Sequence, residues 1–209
     1  MDGNTTTTNT GGDNGLHQVL LFGQTNLKSG GHGITLTNLG CMSNSSPGGL
    51  SLDVVIWERK IPDKASPQGV IMDSNDPTFD YSPSDSWDQI VDTNLNRSLA
   101  VAQTQGASMN IGFIGSSVAL YGSLSSTSGL YQCAVDGVST QHMPVYGQEA
   151  IQQVLCFADG LDDDQDHVLA VTNVGSGSLS IDHAQFWGTN VSVYWLVSLY
   201  LLRLTPEVD

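Results

Sequence analysis

The sequence predicts an all-β chain folded as a β-sandwich, and three observations carry that expectation. Charged residues make up only 13% of the chain, while Gly, Ser, Thr and Asn abound. That composition suits short strands joined by turns, not long helices. The segments "ASMNIGFIG", "SSVALYGSL" and "GLYQCAVDG" alternate apolar and polar residues between Gly, Ser or Asp boundaries, the period-2 pattern of half-buried strands. One phrase also occurs twice. "VLLFGQTNLKSGGHGITLTN" fills residues 19–38 and "VLCFADGLDDDQDHVLAVTN" fills residues 154–173, so that His32 and Asn38 correspond to His167 and Asn173.

The repeat sets the domain organisation. After each phrase comes a strand-like segment ending in Trp: "LSLDVVIW" at residues 50–57 and "LSIDHAQFW" at residues 179–187. Two matching segments in the same order indicate a duplicated module, and only the second copy has a front half. The expected boundaries are a disordered polar N-terminus (1–15), the C-terminal half of a first module (16–58) and a linker (59–69). A complete module (70–187) and an apolar C-terminal segment (188–209) follow. A half-sandwich exposes apolar surface and strand edges, so self-association through the incomplete first module is an expected partnership.

Taken in order, the elements each have a local reason. The opening "MDGNTTTTNTGGDNG" lacks the basic and apolar regions of a signal peptide, so no export signal is expected there. Sequons at Asn4, Asn44, Asn96 and Asn190 suit a glycosylated, exported surface. "RKIPDKASPQG" has the Pro, Gly and charge of a linker. Near the end, residues 191–202 are apolar but number only about a dozen, short of the ~20 needed to cross a bilayer. They read as a last buried strand or as a truncated membrane anchor.

Charge and motifs narrow the function. Six basic residues against 21 acidic ones give a formal net charge of -15, which excludes nucleic acid as a partner. Asp162, Asp164 and Asp166 have the opening spacing of an EF-hand loop, but His167 stands where Gly is needed and Asn173 where the bidentate Glu belongs. No metal and no cofactor is therefore expected, and the run reads as a solvated acidic hairpin. His32 and His167 each head a strand, which suits a ring bonded to loop backbone. Hydrolase, zinc-protease and nucleotide-binding signatures do not occur, so the chain is expected to be non-catalytic. "DSNDPTFDYSPSDSW" gathers Asp73, Asp76, Asp80, Tyr81, Asp85 and Trp87 in one polar, turn-rich stretch. An aromatic platform beside hydroxyl-binding carboxylates is the chemistry of a sugar site. The same two aromatics would equally well seal the edge of a sandwich core.

Five motifs in order, "IMDSNDPTFDYSPSDSW", "F-x-GSSVALYG", "Y-x-C-x-VDG", "LC-x-x-x-GL-x-x-x-x-x-H-x-L-x-VTN" and "L-x-ID", resemble ectodomain modules of basidiomycete fungal surface proteins. The resemblance covers residues 70–187 fully and 16–58 in part. It implies a jelly-roll (galactose-binding-like) β-sandwich, one complete copy preceded by the C-terminal half of another. It also implies an extracellular or cell-surface location and a glycan or cell-wall polysaccharide as partner. The alternative is a structural or adhesive ectodomain fragment without a defined ligand, with a carbohydrate-active enzyme third. Of the three cysteines, the resemblance favours Cys133 and Cys156 as a disulfide and leaves Cys41 unpaired. Two reduced core cysteines are the alternative.

Overall fold

The computed structural model describes residues 68–92, 97–144 and 150–194, with short pieces (5, 7, 22–25, 27–28 and 32–37) nearer the N-terminus. Most of the predicted N-terminal tail and half-module, Cys41, Asn4, Asn44, Asn96 and the last 15 residues of the apolar segment lie outside the described residues. The chain divides into two compact units, Met1–Lys60 and Ile61–Asp209.

The second unit is a sandwich of two antiparallel sheets. Its strands are β1 (Gln68–Asp73), β2 (Asp80–Ser82), β3 (Trp87–Asp92), β4 (Arg97–Ala102), β5 (Ser108–Ile114) and β6 (Ser117–Leu124). They continue with β7 (Tyr131–Val135), β8 (Val138–His142), β9 (Ala150–Asp159), β10 (Asp166–Asn173), β11 (Leu179–Gly188) and β12 (Ser192–Tyr194). One sheet runs β3-β4-β11-β6-β9, with β1 beside β11; the other runs β12-β5-β10-β7-β8, with β2 beside β5. The sandwich thus begins inside the stretch read as linker, at Gln68, and extends past Trp187 to Tyr194. Among the described residues no helix is long and apolar enough to cross a membrane.

The three segments singled out by their alternation are β5, β6 and β7. Their inward side chains, Met109, Ile111, Phe113, Val118 and Leu120, are fully buried and meet Leu169, Val171, Ile181 and Phe186 from β10 and β11. Each such side chain stabilises the fold by roughly 1.5–3 kcal/mol, so this layer supplies most of the driving force. Two glycines are dictated locally. A Cβ on Gly122 would meet the Ser180 carbonyl oxygen at 2.0 Å, which lets β6 press against the irregular stretch of β11 between Ile181 and His183. Asp136 (φ 52°) and Gly137 (φ 78°) both turn left-handed between β7 and β8, the backbone of a two-residue hairpin that an Asp-Gly pair makes readily.

Cys133 on β7 and Cys156 on β9 form a disulfide with a Cα–Cα distance of 5.9 Å. The Tyr131 hydroxyl donates to the Leu155 carbonyl at 3.0 Å beside it. The two links tie one sheet to the other at the β7/β9 edge.

The acidic run departs from the expected picture of a solvated hairpin. Asp163 accepts the Thr189 backbone N–H, at 3.1 Å through Oδ1 and 2.8 Å through Oδ2, and also the Thr189 hydroxyl. It therefore pins the β11–β12 turn. Asp166 accepts the Tyr194 hydroxyl at 2.7 Å. Among the described residues no three His, Cys, Asp or Glu side chains converge as a metal site. A carboxylate can look idle in a sequence when its partner is a backbone group 26 residues away.

Candidate functional site

The six residues of the 73–87 stretch do not form one surface. Trp87, at the start of β3, is only 8% exposed and belongs to the core, as does Phe79. Tyr81 on β2 is half-buried between them, with ring centroids 6.0 Å from Phe79 and 4.8 Å from Trp87. Its hydroxyl donates to the Ser74 carbonyl at 2.8 Å. Burial, aided by the nearby Asp73 charge and opposed by a hydrogen bond from Gln89, pushes the Tyr81 phenol well above its ordinary range. The aromatic trio closes one end of the sandwich, while the acids take separate tasks. Asp76 holds the Thr78 backbone N–H at 2.9 Å and its hydroxyl at 2.7 Å. Asp80 and Asp85 are exposed at the start of β2 and in the short 3-10 turn after it. Asp73 accepts the Asn75 N–H at 3.1 Å and lies in register with His183 on β11.

That register leads to a second arrangement, on the outer face of the first sheet. On β11, His183, Gln185 and Trp187 alternate with the core residues Ala184 and Phe186 and so point away from the core. Strand pairing lines up three rows across four strands. The first is Gly69–Trp187–Ser117–Asp159, the second Ile71–Gln185–Ala119–Phe157 and the third Asp73–His183–Tyr121–Val154. With strands about 4.8 Å apart and rows about 7 Å apart, the grid spans roughly 14 Å each way.

Aromatic rings dominate the grid. The Tyr121 and His183 rings stack at 4.5 Å with an interplanar angle of 10°. Trp187 lies across Gly69: its Cδ1 and Nε1 would stand 3.5 and 3.6 Å from a side chain placed there. Phe157 is 44% exposed and Ile71 62% exposed. Polar groups are interleaved with the rings. Ser117 donates to Asp159, His183 Nδ1 lies 3.6 Å from the buried Asp182 carboxylate, and Gln185 and Asp73 are half-buried. Flat rings, carboxylate and amide oxygens and hydroxyl groups on a rigid sheet can stack on a ligand's C–H faces and bond its hydroxyls.

Sequence reasoning picked Asp73 from this face and missed Trp187, Tyr121, His183, Gln185 and Phe157. A signal was present. In "HAQFW" the outward positions carry His, Gln and Trp, and a large aromatic residue on the side of a strand opposite the core needs a reason.

His167 is not part of this face. It is 6% exposed, and its Nδ1 lies 2.7 Å from Asp136 Oδ2 and its Nε2 2.8 Å from the Asp162 carbonyl oxygen. Both partners only accept, so the arrangement favours the protonated ring, which donates from both nitrogens, and holds its pKa above the ordinary imidazole value. In the first unit His32 Nε2 lies 2.7 Å from the Lys28 carbonyl oxygen, the same bond from ring to loop backbone. A shallow cleft beside β8 and β9 is lined by Leu124, Tyr131, His142, Met143 and Val154. His142 Nε2 there meets the Thr140 hydroxyl at 2.8 Å.

No family model matches the chain, and no curated protein matches it. Among solved structures it is similar to a family two carbohydrate esterase from Cellvibrio japonicus, with a TM-score of 0.45 and 11% identity over 63% of this chain and 37% of that one. It is also similar to the salicylyl-acyltransferase SsfX3 from a tetracycline biosynthetic pathway, with a TM-score of 0.44 and 12% identity over 62% of this chain and 42% of that one. This chain therefore matches less than half the length of either. Both of those proteins are enzymes, which corrects the expectation of a non-catalytic chain. The absence of familiar motifs was a poor ground for that expectation, because catalytic groups assemble in space and need no local signature.

Proposed function

We propose that the chain is a carbohydrate-binding surface module and that the outer face of the first sheet is its binding face. One observation carries this reading: on one sheet Trp187 stands in register with Ser117 and Asp159, the stacked Tyr121–His183 pair stands in register with Asp73, and Gln185 lies in the row between them. Stacking surfaces interleaved with hydroxyl-bonding groups suit a polyhydroxylated ligand better than a purely apolar one. The disulfide suits an oxidising compartment, and the sequon at Asn190 is exposed beyond β11. Both support an extracellular or cell-surface site of action, in keeping with the resemblance to fungal surface modules.

The test is a glycan array probed with the full chain, followed by affinity measurements on whatever binds. Trp187→Ala and Tyr121→Ala should each weaken binding about tenfold or more, a loss of ~1.4 kcal/mol. Val138→Ser, at an exposed position on the β7–β8 hairpin, should leave it unchanged. Equal binding by Trp187→Ala, or an array without a bound glycan, overturns the proposal. A second reading, an adhesive module whose partner is protein, is favoured by the exposed apolar side chains Ile151 and Val154 on β9. Glycan-independent capture by a second copy, seen as a concentration-dependent mass in solution, would support it.

A further inference from the structure

We propose that the face takes uncharged glycans and discriminates against anionic ones, an inference that rests on the reading just given and names its ligand class. The charge inventory is the first ground. Between Gln68 and Tyr194 the sequence holds 14 carboxylate side chains and one basic side chain other than histidine, Arg97. Arg97 stands in register with Asp92 at one end of β4 and is not one of the residues that make up the three rows. The grid therefore has no lysine or arginine with which to meet a uronate, sulfate or phosphate.

The second ground is where the carboxylates sit. Asp73 ends the third row on β1 and Asp159 ends the first row on β9, so the two occupy opposite corners of the grid. Asp182, buried next to His183 on β11, adds a third carboxyl group alongside. A ligand laid across Trp187 and Tyr121 passes between these groups. Its hydroxyls would find acceptors, whereas an added negative charge would lie within about a Debye length of several like charges. Recognition by rejection of this kind needs no contact with the excluded group.

The experiment uses matched pairs of one polymer backbone: hydroxyethyl and carboxymethyl cellulose, and laminarin with its carboxymethyl derivative, with a glucosamine polymer as the cationic control. Retardation of the full chain in native affinity gels is measured at about 20 mM and at about 500 mM salt. We expect at least one neutral polymer to retard the chain, with Trp187→Ala abolishing the effect. Its carboxymethyl partner should bind at least tenfold more weakly at low salt, and the gap should narrow at high salt as screening sets in. Carboxymethyl polymers binding as well as their neutral partners at low salt would overturn the discrimination and leave the face as a glycan site. Binding only to the glucosamine polymer, lost in salt and retained in Trp187→Ala, would overturn both. Absence of retardation by every polymer would overturn the carbohydrate reading itself.

Discussion

Replacing His167 by alanine should remove one of the main ties at the acidic-loop end of the sandwich. The buried ring donates to the Asp136 carboxylate at 2.7 Å and to the Asp162 carbonyl at 2.8 Å, and it packs on Phe113 at 5.4 Å. A charge-assisted hydrogen bond contributes ~1.5–3 kcal/mol and a neutral one ~1 kcal/mol. Asp136 keeps its bond from the Val168 N–H at 2.9 Å, which limits the damage to the lost pair. The expected destabilisation is about 3 kcal/mol, or a fall in Tm of roughly 6–12 °C for a unit of this size. Protonation supplies a second readout. Burial alone would lower the His167 pKa, but the Asp162 carbonyl and the Asp136 carboxylate outweigh it and raise the pKa above the ordinary imidazole value. The folded state then binds the proton more tightly than the unfolded chain. The stabilisation is complete below the unfolded pKa of about 6.5 and is lost as pH rises through the folded value. Urea unfolding of both proteins at a series of pH values from 5.5 to 9 measures this. The difference between wild type and His167→Ala should be largest at the acid end and shrink with rising pH. A difference below ~1 kcal/mol at the acid end, or one that is constant with pH, would refute the imidazolium clamp.

Three further outcomes follow from the same structure. Reducing Cys133–Cys156, which closes a loop of 23 residues, should cost about 3 kcal/mol, read as a lower melting temperature in reductant than in its absence. Asp163→Ala should destabilise the sandwich by ~2 kcal/mol through loss of the Thr189 bonds, whereas Asp164→Asn should stay within ~0.5 kcal/mol; chemical denaturation of the pair separates the anchored acid from the exposed one. In ultraviolet titration Tyr194, held up to about 12 by burial and its bond to Asp166, should ionise later than a free tyrosine. The Tyr194→Phe variant should lose one late-ionising phenol and keep that of the buried Tyr81.

Local pattern alone determined much of the sandwich. The alternation in β5, β6 and β7 and the Asp-Gly hairpin are decided by neighbours a few residues away, where strand geometry and turn chemistry act, as is the bond from His167 to the Asp162 carbonyl, though not its bond to Asp136. Asn173 belongs with them: its side chain holds the Gly177 carbonyl at 2.8 Å and the Gly175 N–H at 3.2 Å within its own turn. What tertiary structure alone decided is which polar and aromatic residues meet. Trp87 and Tyr81 sit in a stretch that reads as a sugar platform, yet the pairing of β2 with one sheet and β3 with the other turns both rings toward the core. Asp163 looks idle until the β11–β12 turn arrives beside it. The aromatic grid joins residues 69–73, 117–121, 154–159 and 183–187, four stretches that only strand register brings together. Register is a long-range property: a slip of one residue would send Trp187 inward and Phe186 out, and no short window of sequence contains the partners that prevent it.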